Sequence, residues 1–194
     1  MRSVAYTALG GILLAGLATP ALAQTAVPFS GPRVEGIIGW DRSETDGGHD
    51  DGALYGAGAG YDIRRGNSVF GIDGEISDST ARECSGAGLV ADPEICAKAG
   101  RDLYVGGRVG TVVGNGSTLL YAKAGYTNAR YKLTYDNGNS DRVIDGTNLD
   151  GIRVGAGAEY AMGPNSFVKA EYRYSNYQDG ISRHQALGGF GFRF

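Results

Sequence analysis

The sequence predicts an all-β protein, an eight-stranded antiparallel up-and-down transmembrane β-barrel. Three observations carry that expectation. Segments of about ten residues alternate apolar with polar or small side chains, the period of a strand with two unlike faces and the length of a tilted transmembrane strand. The connections between these segments alternate long and short. The chain ends on Phe190, Phe192 and Phe194 interleaved with Gly189, Gly191 and Arg193, an aromatic ladder on residues that in a water-soluble chain are usually frayed and polar.

In chain order, the first strand is placed at 33–41, with Val34, Gly36, Ile38 and Trp40 on one face and Arg33, Glu35 and Asp41 on the other. After an acidic loop at 43–52, the second strand, 54–63, sets Tyr55, Ala57, Ala59, Tyr61 and Ile63 against glycines and Asp62. A tight turn at 65–68 follows, where Gly66 and Asn67 are expected to supply positive φ. The third strand, 69–77, opposes Phe70, Ile72 and Ile76 to Asp73 and Glu75. A long loop, 78–100, holds both cysteines, Cys84 and Cys96.

The fourth strand, 102–112, opposes Leu103, Val105 and Val109 to Asp102, Tyr104 and Arg108, and a turn at 114–117 leads to the fifth, 119–127, with Tyr121 and Lys123 on its polar face. The longest connection, 128–148, keeps alternating and contains Asn137-Gly138, a strong hairpin signal, so two strands are expected to continue past the membrane. The sixth strand, 149–160, carries Arg153 and Glu159 on one face. After a turn at 163–166 the seventh, 167–174, carries Lys169, Glu171 and Arg173. Residues 176–183 are read as a loop into the terminal strand. Gly56-Ala57-Gly58 and Gly155-Ala156-Gly157 mimic dinucleotide fingerprints, but neither opens a helix.

Energy decides which face meets lipid. A Lys or Arg turned to the bilayer midplane costs about 2–4 kcal/mol. The charged set Arg33, Glu35, Asp62, Asp73, Glu75, Asp102, Arg108, Lys123, Arg153, Glu159, Lys169, Glu171, Arg173 and Arg193 is therefore placed inside, where both signs can pair. Small barrels have interiors just wide enough for side chains to fill them. The expectation is a salt-bridged, largely plugged interior with glycines making room for long side chains, and lipid contacts on the even-numbered residues of most strands. A soluble eight-stranded barrel would place its apolar residues inside and its charges outside.

Composition agrees. There are 34 glycines in 194 residues, 12 tyrosines and no G-x-y period. The net charge of −3 and pI near 5.4 point away from nucleic acid. Residues 1–23 read as a secretory signal peptide: Arg2, an apolar run at 8–17, Pro20, then Ala21-Leu22-Ala23 as an A-x-A cleavage site. Residues 24–30 form a short N-terminal segment and 31–194 the barrel. Two cysteines in an exported chain imply one disulfide, Cys84 to Cys96, closing a loop of about 13 residues.

The ending Gly189-x-x-Phe192-x-Phe194 resembles the C-terminal signature of bacterial outer-membrane β-barrels, departing from it at Leu187, where a polar residue is usual. With eight strands and a signal peptide, the chain resembles the small outer-membrane β-barrel family, which includes OmpA-type transmembrane barrels and alphaproteobacterial porin-family surface antigens. The resemblance spans 31–194. It implies a location in the outer membrane, contact with outer-membrane lipids and lipopolysaccharide, and recognition of the terminal strand by the barrel-assembly machinery. It also implies short turns in the periplasm and a structural or surface role in envelope integrity, adhesion or recognition, with the loop ligand unspecified. No peptidoglycan-binding domain is expected after the barrel.

No residue is assigned as catalytic, cofactor-binding or metal-binding. The acids Asp41, Glu44, Asp46, Asp50 and Asp51 with His49, and the run 136–141, are read as solvated loop chemistry rather than cation sites. Two alternatives stay open. One is a narrow porin-like channel. The other is a lipid A deacylase, whose family carries His-x-Ser-Asn where this chain has Arg173-Tyr174-Ser175-Asn176. Arg173 cannot act as the general base, which leaves His184 as the residue that would have to approach Ser175.

Overall fold

The computed structural model describes residues 28–45, 48–85, 94–136 and 141–194. Its strands are β1 (Gly31–Thr45), β2 (Gly48–Arg65), β3 (Ser68–Ser79), β4 (Arg82–Ser85), β5 (Glu94–Val113), β6 (Thr118–Asp136), β7 (Asp141–Ala161), β8 (Ser166–Tyr177) and β9 (Ser182–Arg193). One 3-10 turn among the described residues lies at Gln178–Gly180. Apart from β3 and β4, strands that are neighbours in sequence pair antiparallel. β1 pairs with β9, and β3 with β5, so the sheet closes on itself. β3 and β4 both pair with β5 and form one interrupted strand, which makes the barrel eight-stranded.

Closure imposes a stagger. Opposed residues can be followed once round the wall from Gly31 through Asp62, Gly71, Arg108, Lys123, Gly155, Arg173 and Gln185. The path returns to β1 at Asp41, ten positions along the strand from its start. This stagger brings the upper end of β1 beside the beginning of β9, which matters for the interior below.

The two faces follow the alternation in the sequence. Along β8, residues 167, 169, 171, 173, 175 and 177 are all buried while the residues between them face outward. The outer face carries large apolar side chains left open, among them Ile38 at 71%, Ile72 and Ile152 at 68% and Phe194 at 72% exposure. An apolar band running round a protein is stable only where the surroundings are apolar too. Phe190 and Phe192 pack edge to face on this wall with ring centres 5.1 Å apart.

The strands run further than their apolar stretches. The acidic segment 43–52 is largely strand, because β1 and β2 stay paired up to Thr45 and Gly48. The segment 78–100 includes β4 and the first residues of β5. β6 and β7 continue as paired strands to Asp136 and Asp141. β8 extends to Tyr177, and β9 begins at Ser182, inside the segment read as a loop. Backbone pairing needs no apolar side chain, so polar hairpin ends read from composition as loops while the ladder continues.

In the short turns Gly66, Gly114 and Gly116 take φ of 60°, 63° and 89°. Among the described residues the one non-glycine with positive φ is Phe29, at 65°, so Asn67 does not share that role as expected. Inward glycines mark close approaches. A Cβ on Gly60 would lie 2.7 Å from Arg33 Nη2, and one on Gly191 would lie 2.5 Å from the Phe167 ring.

Candidate functional site

The functional question centres on the interior. All fourteen charged residues placed there from the sequence are buried, joined by Asp41 from the charged face of the first strand and by Arg183 from the segment read as a loop. Together they make eight cations (Arg33, Arg108, Lys123, Arg153, Lys169, Arg173, Arg183, Arg193) and eight anions (Glu35, Asp41, Asp62, Asp73, Glu75, Asp102, Glu159, Glu171). The buried charge of the described interior therefore sums to zero.

The pairs stack in three levels. Near the short turns, Asp62 accepts from Arg108 Nε at 2.8 Å and Arg193 Nη2 at 3.0 Å, and it lies 3.2 Å from Arg33 Nε. Glu159 accepts from Arg108 and, at 3.0 Å, from Arg193, while Arg33 donates to Asp73. At mid-height, Lys169 Nζ reaches Glu35 at 2.6 Å and Lys123 Nζ reaches Glu171 at 2.9 Å. Tyr121 donates to Glu171 at 2.6 Å, and Arg173 bridges Glu75 and Gln185.

At the top, Asp102 accepts from Arg153, from Tyr177 at 2.8 Å, from Thr127 at 2.6 Å and from Arg183 at 3.2 Å. Asp41 accepts from Arg183 and from Gln185 Nε2 at 2.9 Å. Asp41 is thus held inside by a guanidinium and does not join the acids of the first hairpin. Asp46 lies outside the described residues, as do the central residues of 136–141. On the outside of that hairpin Asp51 accepts from Arg42 Nε at 2.8 Å, and this hydrogen bond holds its carboxyl below the usual range.

Apolar clusters lie at both ends of the column, a feature with no signature in the charge pattern. Phe29, Val69, Val112, Leu119 and Tyr121 form a buried cluster at the short-turn end, with Ala161 packed against it. Phe29 comes from the segment preceding β1. Arg64 anchors that segment by donating to the Pro28 carbonyl at 3.0 Å, and Arg193 lies over the Phe29 and Phe167 rings at 5.2 and 4.9 Å. At the other end Ala129, Leu149 and Tyr177 pack together with Ile181. Leu187, the departure from the C-terminal signature, points inward and packs with Ile37 and Leu54.

The hydrolase geometry does not form. Ser175 faces inward, fully buried, and accepts from Arg153 Nε at 2.8 Å. Its cross-strand partner is Arg183 rather than His184. His184 belongs to the opposite face, where its Nδ1 lies 2.6 Å from the Tyr172 hydroxyl. Successive residues of a strand point to opposite faces, so His184 does not approach Ser175.

Gly189 lies against Lys169, where a Cβ would meet Cγ at 3.0 Å. Phe192 and Phe194 stand on the outer wall. Cys84 and Cys96 are directly opposed in the β4–β5 ladder. Residues 1–23 lie outside the described residues.

Comparison with known proteins agrees with this architecture. No curated protein matches the chain. Among solved structures it is similar to Ail, the attachment invasion locus protein of Yersinia pestis, at 19% identity over 84% of this chain and 99% of that one, TM-score 0.56. It is similar to Neisserial surface protein A at 20% identity over 85% and 98%, TM-score 0.55. It is also similar to OprG of Pseudomonas aeruginosa at 12% over 86% and 97%, TM-score 0.51. At such identities the likeness is one of fold. The family model described as the outer membrane protein beta-barrel domain matches residues 11–194, and with the closed barrel and its lipid-facing wall this makes the chain a member of that family, a barrel of the bacterial outer membrane.

Proposed function

We propose that the protein is a non-catalytic outer-membrane barrel with a structural and surface role, presenting extended hairpins beyond the membrane on a sealed transmembrane base. The observation that carries this reading is the interior: among the described residues, eight buried cations are matched by eight buried anions, with an apolar cluster at each end. A conducting path needs water and exchangeable charge along the axis, whereas these guanidinium and carboxylate groups are engaged with one another.

Planar-bilayer recording of the refolded barrel tests the reading, and silence is expected. Reproducible discrete steps would replace it with the narrow channel. The enzymatic alternative is tested separately, by the acyl pattern of lipid A in cells expressing the protein, which is expected not to change.

Two further assignments belong to the same reading. The outward Phe192 and Phe194 with Gly189 serve as the signal by which the assembly machinery receives the last strand, and Phe194→Ala is expected to lower the heat-modifiable, folded fraction in cells. Cys84 and Cys96 form a disulfide that ties β4 to β5. Their opposed positions place the Cα atoms about 4.5–5.5 Å apart, within the span a disulfide bridges. Alkylation without reduction should leave both thiols unmodified.

A further inference from the structure

We propose that the outer face of the barrel, at the hairpin end, carries a site for one divalent transition-metal ion of the zinc class. Its ligands are His49, Glu44 and His184, across the seam where β1 meets both β2 and β9. The chain has two histidines in 194 residues, and closure of the barrel brings both to the same carboxylate. His49 of β2 stands directly opposite Glu44 of β1, which sets their Cβ atoms about 4.5–5.5 Å apart on one face. His184 of β9 reaches Glu44 from the other side, with Nε2 3.9 Å from Oε2.

That separation is too long for a hydrogen bond and close to what a shared metal ion requires. Zinc holds an imidazole nitrogen and a carboxylate oxygen at about 2.0–2.2 Å each, so in a tetrahedral shell the two donors lie about 3.4 Å apart. Among the described residues no three ligating groups already converge on one point. The ion completes the set, because the Glu44 side chain is half exposed and His49 is exposed, and both are free to turn. Two imidazoles and one carboxylate leave a fourth position open to water.

His184 is already prepared as a ligand. Its Nδ1 lies 2.6 Å from the Tyr172 hydroxyl, and the Tyr174 ring packs against the imidazole with centres 4.8 Å apart. Metal-binding histidines engage their second ring nitrogen in such a hydrogen bond, which fixes the tautomer and the direction of the ring. With Nδ1–H donating to the Tyr172 oxygen, the Nε2 lone pair is the one turned toward Glu44. Arg42, the cation opposite His184, is bonded to Asp51 and lies over the Trp40 ring at 4.8 Å, so its charge is matched locally. Imidazole donors select zinc, nickel or copper over calcium and magnesium, which take oxygen donors. The first hairpin alone offers one histidine among acids, and the third ligand arrives from β9 only when the barrel closes.

Calorimetric titration of zinc chloride into the refolded, untagged, metal-stripped barrel in detergent at neutral pH tests the site. One zinc per barrel is expected, and excess calcium should not displace it. His184→Ala, His49→Ala and Glu44→Gln should each lower the affinity by about tenfold or more. Tyr172→Phe, which removes no ligand, should lower it by about tenfold through lost orientation of His184. Asp150→Asn, at an acid of β7 bonded to Asn128, should change nothing. The wild-type barrel gives a second readout: both imidazoles should shift together in nitrogen-15 NMR and saturate at one zinc per barrel. Undiminished zinc binding in either histidine variant would overturn the site, as would displacement by calcium, the mark of a plain carboxylate cluster. Movement of one imidazole alone would overturn the bridge from β2 to β9.

Discussion

The two ends of the barrel are packed by different chemistry. At the short-turn end the packing is apolar and includes a residue from outside the sheet, Phe29, folded into the mouth against Val69, Val112 and Leu119. At the hairpin end the innermost contacts are ionic: Asp41 and Asp102 gather Arg153, Arg183, Gln185 and Tyr177 beneath a small apolar cluster. An apolar cluster loses stability gradually as members are trimmed. A buried ionic group behaves otherwise, because removing one partner leaves its neighbour charged and without compensation. The hairpin end is thus the more sensitive to a single substitution.

The largest expected effect falls there. Asp102→Ala strips an acceptor from Arg153, Arg183, Thr127 and Tyr177 at once, and should destabilise the barrel by about 3–5 kcal/mol, read from urea unfolding in detergent. Replacing Asp102 and Arg153 together by Leu and Met should recover part of that loss, since Arg183 keeps Asp41. If the double variant were as unstable as the single one, the ionic description of this end would be wrong.

The same contrast marks what the sequence disclosed. The side of the wall each strand residue occupies was legible, because period two and the energetic penalty on lipid-facing charge point the same way. Asp41 is legible on the charged face of 33–41 beside Arg33 and Glu35, although the acids that follow draw it toward the loop, whereas Arg183 lies in 176–183, whose polar composition reads as loop. Parity counted back from inward Leu187 through Gln185 would have placed Arg183 inside. Their meeting depends on the ten-residue stagger, a property of closure that no local pattern encodes. Phe29 was hidden for a related reason, since one aromatic in a short segment has no periodicity and finds its place only once the barrel exists.

At the apolar end, Phe29→Ala should lower stability by up to about 3 kcal/mol. The value is bounded because the segment before β1 can detach without unfolding the sheet. Strain also enters, since φ of 65° is unfavourable for a bulky residue. Phe29→Gly should therefore destabilise less than Phe29→Ala. Phe29→Ala should also raise hydrogen exchange at the lower ends of β1 and β9 and leave the exchange around Asp102 unchanged. Parallel loss of protection at both ends would mean that they form one cooperative unit.

The smallest effect concerns Arg42 and Asp51, which pair on the outer face of the β1–β2 hairpin, both well exposed. A solvated ion pair of this kind contributes little to stability, so Arg42→Ala should leave the unfolding midpoint unchanged. Its signature is in titration instead. The hydrogen bond from Arg42 lowers the Asp51 carboxyl in the folded state, so whatever the pair contributes is present above the ordinary carboxylate range and disappears as pH falls through the lowered value. In carbon-detected NMR the Asp51 carboxyl should titrate below an unperturbed aspartate and return to the ordinary value in Arg42→Ala. An unchanged titration in that variant would show that the hairpin end is not held by this pair, and would leave the continued backbone ladder of β1 and β2 as what extends it beyond the membrane.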